Sequence, residues 1–333
     1  MQTDRRRLMT GALSLGAAWA APARTQDAYP NQPVHLISTY RPDGATAVFA
    51  RLVGNVMGKM LGQPFLVEYR PGDEGISAAE ATAHAGPDGY TMLLADVSTY
   101  VLNRSLYRNL SYDPQQDFAP VTLTGRLAMV LLVNTNKISA SSLTGLIEMA
   151  KRAPGTIAYA SPGVGSPSHL TTALLALTAG VDLKHVPCHD AASALDALAT
   201  GQAGMMFIDF VDARSHLKIP GIKALAIASP EEYPALPGLP TVAASGFPGF
   251  EAWVWQGLVV PAGTDAAIIE KLRTSYVEAI RGPQIIRRLA GAGFEILQST
   301  PAEFAAYMRS ESEKWDKVIR TANINADRMS GAR

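Results

Sequence analysis

A polar loop, YRPDGAT at residues 40–46, follows an apolar run and precedes a segment with helical periodicity. Pro42 fixes one backbone angle, Gly44 permits conformations that other residues avoid, and we expect the helix to begin at Ala45 or Thr46. Free N–H groups at a helix start, with the helix dipole behind them, favour an anion. The loop lacks the Lys of a Walker-type phosphate loop, so a carboxylate suits it better. On these residues alone, an ordinary strand-to-helix connection stays equally open.

A second stretch, SPGVGSPSHL at residues 161–170, follows a predicted strand and opens another predicted helix. Gly163, Gly165, Ser166 and Ser168 offer backbone and hydroxyl donors there. If both donor-rich turns face one cleft, they can hold the two ends of a dicarboxylate, or a carboxylate and a polar tail.

Catalysis has weaker support in the sequence. Ser168 and His169 are adjacent, and adjacent helical residues point in different directions, so His169 is a poor base for Ser168. The chain has no Gly-x-Ser-x-Gly elbow, no His-Glu-x-x-His motif and no paired Cys or His cluster, and GVGSPS lacks the third Gly of the dinucleotide fingerprint. We therefore expect no enzyme, no cofactor and no metal. The alternatives are an exported hydrolase on the same fold and a ligand sensor subunit.

Composition narrows the class of protein further. The 333 residues carry 29 basic and 29 acidic side chains, so no global field attracts nucleic acid or a membrane surface. Hydrophobic residues make up 47% of the chain, which is enough for two ordinary cores. Cys188 is the only cysteine, so no internal disulfide can form, and we expect it to be buried and inert.

The N-terminus has the plan of an export signal. Three arginines, residues 5–7, precede the weakly apolar stretch 8–21, and small-residue cleavage sites follow. The stretch is too short for a membrane anchor. We predict that residues 1–23 are a signal peptide cleaved near Ala23 and that the protein resides in the periplasm. Export by the twin-arginine or the Sec route stays open.

Short β-type runs, among them residues 34–38, 65–69, 89–95 and 129–133, alternate with helical segments along the rest of the chain. This alternation predicts α/β units with doubly wound, mainly parallel sheets. The pattern restarts near Val121, and residues 231–250 are rich in Pro and Gly and predict an extended surface segment. We predict one lobe from residues 29–122 and 253–333, and a second from residues 123–252. Two chain crossings would then form a hinge beside a ligand cleft.

Motifs spread over nearly the whole mature chain resemble the extracytoplasmic solute-binding receptors of bacterial tripartite tricarboxylate transporters, the Bug family. These motifs are YPNQPVHLI (29–37), YRPDGATAVFARL (40–52), LGQPFLVEYRPGDEG (61–75), PDGYTMLLA (87–95), YDPQQDFAPVTL (112–123), YASPGVGSPSHL (159–170), HVPCHDAASALDALATGQ (185–202), PALPGLPTVAASGFPGFEA (234–252) and PAGT (261–264). The resemblance implies a two-lobed, type II-like periplasmic binding protein that closes on a small carboxylate, which can be a di- or tricarboxylate, an acidic amino acid or an aromatic acid. It also implies delivery of that ligand to integral-membrane permease subunits, and we expect a monomer.

The resemblance also implies where the ligand binds, by position in the family motifs. The residues that it nominates are Tyr40, Arg41, Pro42, Asp43, Gly44, Ala45 and Thr46 in the first lobe, and Gly165, Ser166, Ser168, His169, Cys188, His189 and Asp209 in the second.

Several positions depart from the family pattern. Arg41 and Asp43 replace a Pro and a Gly, and Ala47 stands where Asp is usual. After the second strand, where the family usually has Gly-x-Gly-Gly, this chain has GDEG. Residues 188–190 are Cys-His-Asp where the family usually has Tyr-Lys-Gly, and Ile208 stands where an Asp is common. We hypothesise that specificity is shifted from that of simple dicarboxylates. Arg41 can pair with a substrate carboxylate, or it can be a solvated loop side chain.

Overall fold

The computed structural model describes residues 29–42, 44–283, 285–286 and 293–326. The predicted signal peptide, residues 1–23, therefore lies outside the described residues, and so does Asp43.

The first half of the chain is a βαβ arrangement with a parallel sheet. Its elements are β1 (Val34–Ser38), α1 (Ala45–Leu61), β2 (Phe65–Tyr69), α2 (Ile76–Ala83) and β3 (Thr91–Asp96). Helix α1 packs on this sheet because Phe49, Val53 and Met57 recur at a spacing of four and are all buried. The helix ends at Gly62, which has a left-handed backbone (φ 75°).

A π-helical turn, Ser98–Leu102, continues into the short α3 (Asn103–Leu106), and the chain then enters its longest strand. The second half contains β4 (Phe118–Asn134), α4 (Leu143–Arg152), β5 (Ala158–Ser161), α5 (Pro167–Ala179), β6 (Lys184–Pro187), α6 (Ala191–Ala199), β7 (Met205–Asp209), α7 (Phe210–His216) and β8 (Ile222–Ile227). The chain returns to the first half through β9 (Trp253–Pro261), α8 (Ala266–Ile280), β10 (Glu295–Ile296) and α9 (Pro301–Thr321).

Strand β4 belongs to both halves. Residues 118–128 pair antiparallel with β9, which also pairs with β3, whereas residues 129–134 pair with β7 and β8. The strand order is β2-β1-β3-β9-β4-β7-β5-β6, with β8 and β10 also paired to β4. Strands β4 and β9 thus form the connection between two α/β halves.

The doubly wound, two-lobed α/β fold is confirmed, with parallel strands at both ends of the sheet and antiparallel strands at its centre. The strand predicted at residues 129–133 is one end of the 17-residue β4. Residues 231–250 contain turns and one bridge, and yet Tyr233, Val242 and Phe250 are buried. Most of this segment is exposed, as predicted, but it consists of turns rather than extended chain, and these three apolar side chains anchor it in the core. The exact lobe boundaries stay a prediction.

Candidate functional site

A cleft of about 720 Å³ opens where the carboxyl ends of β1 and β3 face the loops after β5 and β6. In open α/β sheets, ligands bind outside the carboxyl ends of strands. The first half contributes Thr39, Tyr40, Gly72, Asp73, Glu74, Gly75, Asp96, Thr99 and Tyr107, the second half contributes Val164 and His189, and Ala326 follows α9. Both halves therefore supply walls of this cleft.

Among the described residues of the first predicted loop, Tyr40 lines the cleft, whereas Arg41, Pro42, Gly44 and Thr46 do not. Tyr40 lies two residues after the end of β1, and burial raises the pKa of its hydroxyl well above the usual 10, with the charges of Asp96 and Asp209 adding to the effect. Asp96 ends β3 in the first half, whereas Asp209 ends β7 in the second. Tyr40 therefore lies where the two halves approach each other.

The loop after β2 presents two carboxylates to the cleft. Asp73 and Glu74 have positive φ angles of 53° and 47°, a backbone region that residues other than Gly rarely adopt. The Glu74 carbonyl accepts hydrogen bonds from Asn103 Nδ2 at 2.9 Å and from Thr99 Oγ1 at 3.3 Å. These bonds hold the loop against the π-helical turn and α3, so the loop has a defined position at the cleft.

Gly75 allows this loop to lie so close to its neighbours. A Cβ atom at this position would come within 2.3 Å of Thr99 Oγ1 and 2.8 Å of Thr39 Cγ2, and its φ is 77°. Any larger residue would push the acidic loop away from the ends of β1 and β3.

The first wall of the cleft is acidic. Burial, together with the charges of Asp96 and Asp73, raises the pKa of Glu74 to about 7. Burial also raises the pKa of Asp96, while N–H donation from Ser98 and Thr99 opposes the shift. Among the described residues, no Lys or Arg lines this cleft. The wall therefore has an excess of carboxyl groups, and the pKa values of two of them, Glu74 and Asp96, are raised.

The predicted anion loop lies at the start of α1. Gly44 is the N-cap without a side-chain hydrogen bond, and its own N–H donates to the Arg41 carbonyl at 3.1 Å. The next backbone N–H groups, those of Ala45 and Thr46, belong to the first helical turn and have no acceptor within the helix. Arg41 and Pro42 are exposed. The helix start thus has free N–H groups, and binding of an anion there stays a prediction.

Arg41 lies near the second half of the chain. Hydrogen bonds from Ser193 lower the pKa of Asp190, and the charges of His189 and Arg41 lower it further. Asp190 caps α6, so a cation after β1 and an anion after β6 approach each other beside the cleft. Ala47, where the family usually has Asp, is fully buried and faces the core instead.

The second predicted loop uses most of its donors internally. Ser166 Oγ accepts from the His169 N–H at 3.3 Å, and the Gly165 N–H donates to His169 Nδ1 at 3.0 Å. Ser168 is buried and does not line the cleft. Of the residues predicted in the second half, His189 reaches the cleft, and its neighbour there is Val164, which the sequence did not single out.

His169 faces a neighbouring cavity of about 630 Å³ between α5 and the segment after α9, and Val164 lines both this cavity and the cleft. Its ring stacks on His185 with centroids 3.9 Å apart, and Tyr159 stacks on His185 in turn. Burial lowers the pKa of His169 to about 3 and that of His185 to about 4. Both imidazoles are therefore neutral at pH 7, and they pack as aromatic rings.

Cys188 and Asp209 are also not in the cleft lining. The Cys188 thiol is half-buried and donates to the Val186 carbonyl at 3.7 Å. Asp209 caps α7 by accepting from the N–H groups of Val211 at 2.9 Å and Asp212 at 3.1 Å. Burial and the charge of Asp212 raise the pKa of Asp209 to about 7.

The acidic lining residues that sequence reasoning missed are Asp73, Glu74 and Asp96. The first two belong to GDEG, which was noted only as a departure from a family pattern, and Asp96 directly follows the predicted strand 89–95. Within the described ranges, no group of three or more His, Cys, Asp or Glu side chains is placed to hold a metal ion. In the same ranges, no helix is long and apolar enough to cross a membrane.

Comparisons with known proteins agree with this architecture. The profile of the tripartite tricarboxylate transporter family receptor matches residues 49–324. Protein BugT of Bordetella pertussis is 32% identical over 305 residues, which cover 91% of this chain and 93% of BugT. An R. palustris protein solved with adipate has a TM-score of 0.77 at 30% identity, covering 89% of this chain and 99% of that one. MatC from Rhodopseudomonas palustris, solved with bound malate, has a TM-score of 0.73 at 31% identity, covering 87% and 100%. The chain therefore belongs to the receptor family of the tripartite tricarboxylate transporters, which are periplasmic solute-binding proteins.

Proposed function

We propose that this protein captures a small carboxylate in the periplasm and delivers it to the permease subunits of a tripartite transporter. The observation that carries the proposal is the cleft between the ends of β1 and β3 and the loops after β5 and β6, in a chain of this receptor family. Two relatives of similar fold hold adipate and malate, which supports a carboxylate as the class of ligand.

In this proposal the start of α1 binds a ligand carboxylate through backbone N–H groups. The two lobes close by a hinge at β4 and β9, the strands that connect them. The ligand contacts both walls, so it binds the closed form more tightly and shifts the equilibrium towards it. The closed form is then what a permease recognises.

A hydrolase is the alternative function. Its candidate nucleophile, Ser168, is buried, and its candidate base, His169, already accepts a hydrogen bond at Nδ1 from the Gly165 N–H. His169 Nε2 belongs to a ring stacked on His185, away from the cleft lining. These contacts favour a structural role for both residues.

A thermal-shift screen against mono-, di- and tricarboxylates, followed by product analysis of each mixture, tests the two functions. Receptor function predicts that at least one acid raises the melting temperature saturably and is recovered unchanged, because a ligand of the native state stabilises it. The Ser168→Ala variant should behave in the same way. Product formation that Ser168→Ala abolishes would establish the hydrolase instead.

We further propose that residues 1–23 are removed on export and that the mature chain is monomeric. N-terminal sequencing of the periplasmic protein and sedimentation analysis check both points. A mature N-terminus upstream of residue 20, or a stable dimer at micromolar concentration, would contradict them.

A further inference from the structure

The charge of the cleft raises a question about its ligand. A dicarboxylate would enter a space whose first wall carries Asp73, Glu74 and Asp96, and no Lys or Arg of the described chain lines that space. The burial that raises the pKa of Glu74 and of Asp96 disfavours a further negative charge beside them. The wall is suited to a group with positive charge.

Two buried amides behind the cleft lining, Asn103 and Gln256, lack part of their hydrogen bonding. Asn103 is 0% exposed and donates to the Glu74 carbonyl, yet its Oδ1 has no hydrogen-bond partner in the described chain. Gln256 is 3% exposed, and its Nε2 likewise has no partner in the described chain. Buried polar groups of this kind are normally satisfied, so each orphan indicates a missing partner.

The sheet register places Gln256 beside the cleft. Gln256 lies directly opposite Asp96 in the antiparallel ladder of β3 and β9, and directly opposite side chains leave the sheet on the same face. Asp96 lines the cleft, so the unpaired Gln256 amide projects next to a carboxyl group at the cleft floor. The unpaired Gln256 amide donor and the Asp96 carboxyl acceptor thus lie side by side.

We infer that the cleft selects a carboxylate that also carries a cationic amino group, and that Glu74 and Asp96 bind this amino group. The inference rests on the proposed receptor function. An ammonium group neutralises the acidic wall and supplies hydrogen-bond donors to its carboxyl groups, whereas the start of α1 donates to the ligand carboxylate. The GDEG loop, with Glu74 in place of a family Gly, is then a specificity element.

Matched ligand pairs test this inference by isothermal titration calorimetry at pH 8. The pairs are propionate and β-alanine, succinate and aspartate, adipate and 2-aminoadipate, and phenylpropionate and phenylalanine, so each pair differs by one amino group. We expect the tightest ligand to be an amino acid that binds at least tenfold more tightly than its amino-free partner.

The variant Glu74→Gln separates a binding role from a structural one. Glu74→Gln should weaken binding of the tightest-binding amino acid at least tenfold, and its affinity for the amino-free partner should stay unchanged or increase. Asp96→Asn should change both affinities in the same direction. Glu80→Gln, an exposed carboxylate on α2 outside the cleft lining, is the control and should change neither affinity. Melting temperatures of all three variants check that they fold.

The outcomes distinguish this inference from the receptor function. If an amino-free acid binds as tightly as its amino partner or more tightly, the receptor function stands and the inference fails. If Glu74→Gln weakens both members of a pair equally, Glu74 does not bind the amino group, and the inference fails as well. If no acid of any pair or of the wider screen binds, both proposals fail.

Discussion

Replacing Gly75 by Ala tests whether the acidic loop is held in place by close packing. Gly75 has φ 77° and ψ 8°, and Gly62 at the end of α1 has nearly the same backbone, with φ 75° and ψ 8°. A left-handed conformation costs a non-Gly residue about 1–2 kcal/mol, and both variants pay this cost. At Gly62 nothing lies within 4 Å of the added Cβ, whereas at Gly75 it meets Thr99 Oγ1 at 2.3 Å.

Overpacking of a well-packed site costs about 1–3 kcal/mol more. Gly62→Ala should therefore lower the free energy of unfolding by about 1–2 kcal/mol, and Gly75→Ala by about 2–5 kcal/mol. Urea unfolding followed by tryptophan fluorescence measures both, provided that the m-values agree.

A double variant locates the cause of the extra loss. Thr99→Ala removes the atom nearest to the added Cβ, so it should recover part of the stability of Gly75→Ala but leave Gly62→Ala unaffected. Equal losses for Gly62→Ala and Gly75→Ala would refute the reasoning, because they would mean that the loop moves freely away from Thr99 and Thr39.

Three further predictions follow from the charges around the cleft. Because the folded-state pKa of Glu74, about 7, exceeds its ordinary 4.5, the wild-type protein gains stability as the pH falls from 8 to 4.5. Glu74→Gln should therefore be more stable than wild type at pH 8, by at most about 1 kcal/mol after solvent screening, and equally stable near pH 4. A stability difference in urea unfolding that stays constant with pH would contradict the shift. Arg41→Ala should weaken carboxylate binding by about 1.5–3 kcal/mol if Arg41 pairs with the ligand, and an unchanged dissociation constant would make Arg41 a solvated loop residue. The imidazole of His169, with a pKa of about 3, should not titrate in NMR spectra above pH 5, and a midpoint near 6.5 would show that the ring is hydrated.

The elements nearest the cleft could be predicted from the sequence because their boundaries are marked locally. Strands β1 and β2 have the predicted bounds, since each is a short apolar run between turn residues. The length of β4 was missed because its first half, residues 118–128, pairs with β9, a partner more than 120 residues away. Sequence periodicity indicates local structure and carries little information on such distant pairing.

The site could be predicted only in part, for a similar reason. Tyr40 and His189 reach the cleft because each follows a strand whose carboxyl end faces it. His169 was nominated by its place in a loop, but its orientation depends on stacking with His185 from another strand. Glu74 was overlooked because its role depends on a positive φ and on hydrogen bonds from Asn103 and Thr99, which the sequence does not reveal.

A crystal structure with the tightest-binding carboxylate from the screen tests the central claim most directly. The account predicts a ligand enclosed between Tyr40 and Asp96 on one side and Val164 and His189 on the other, with its carboxylate at the start of α1. A ligand bound instead in the cavity beside His169, with the cleft filled only by water, would contradict the account.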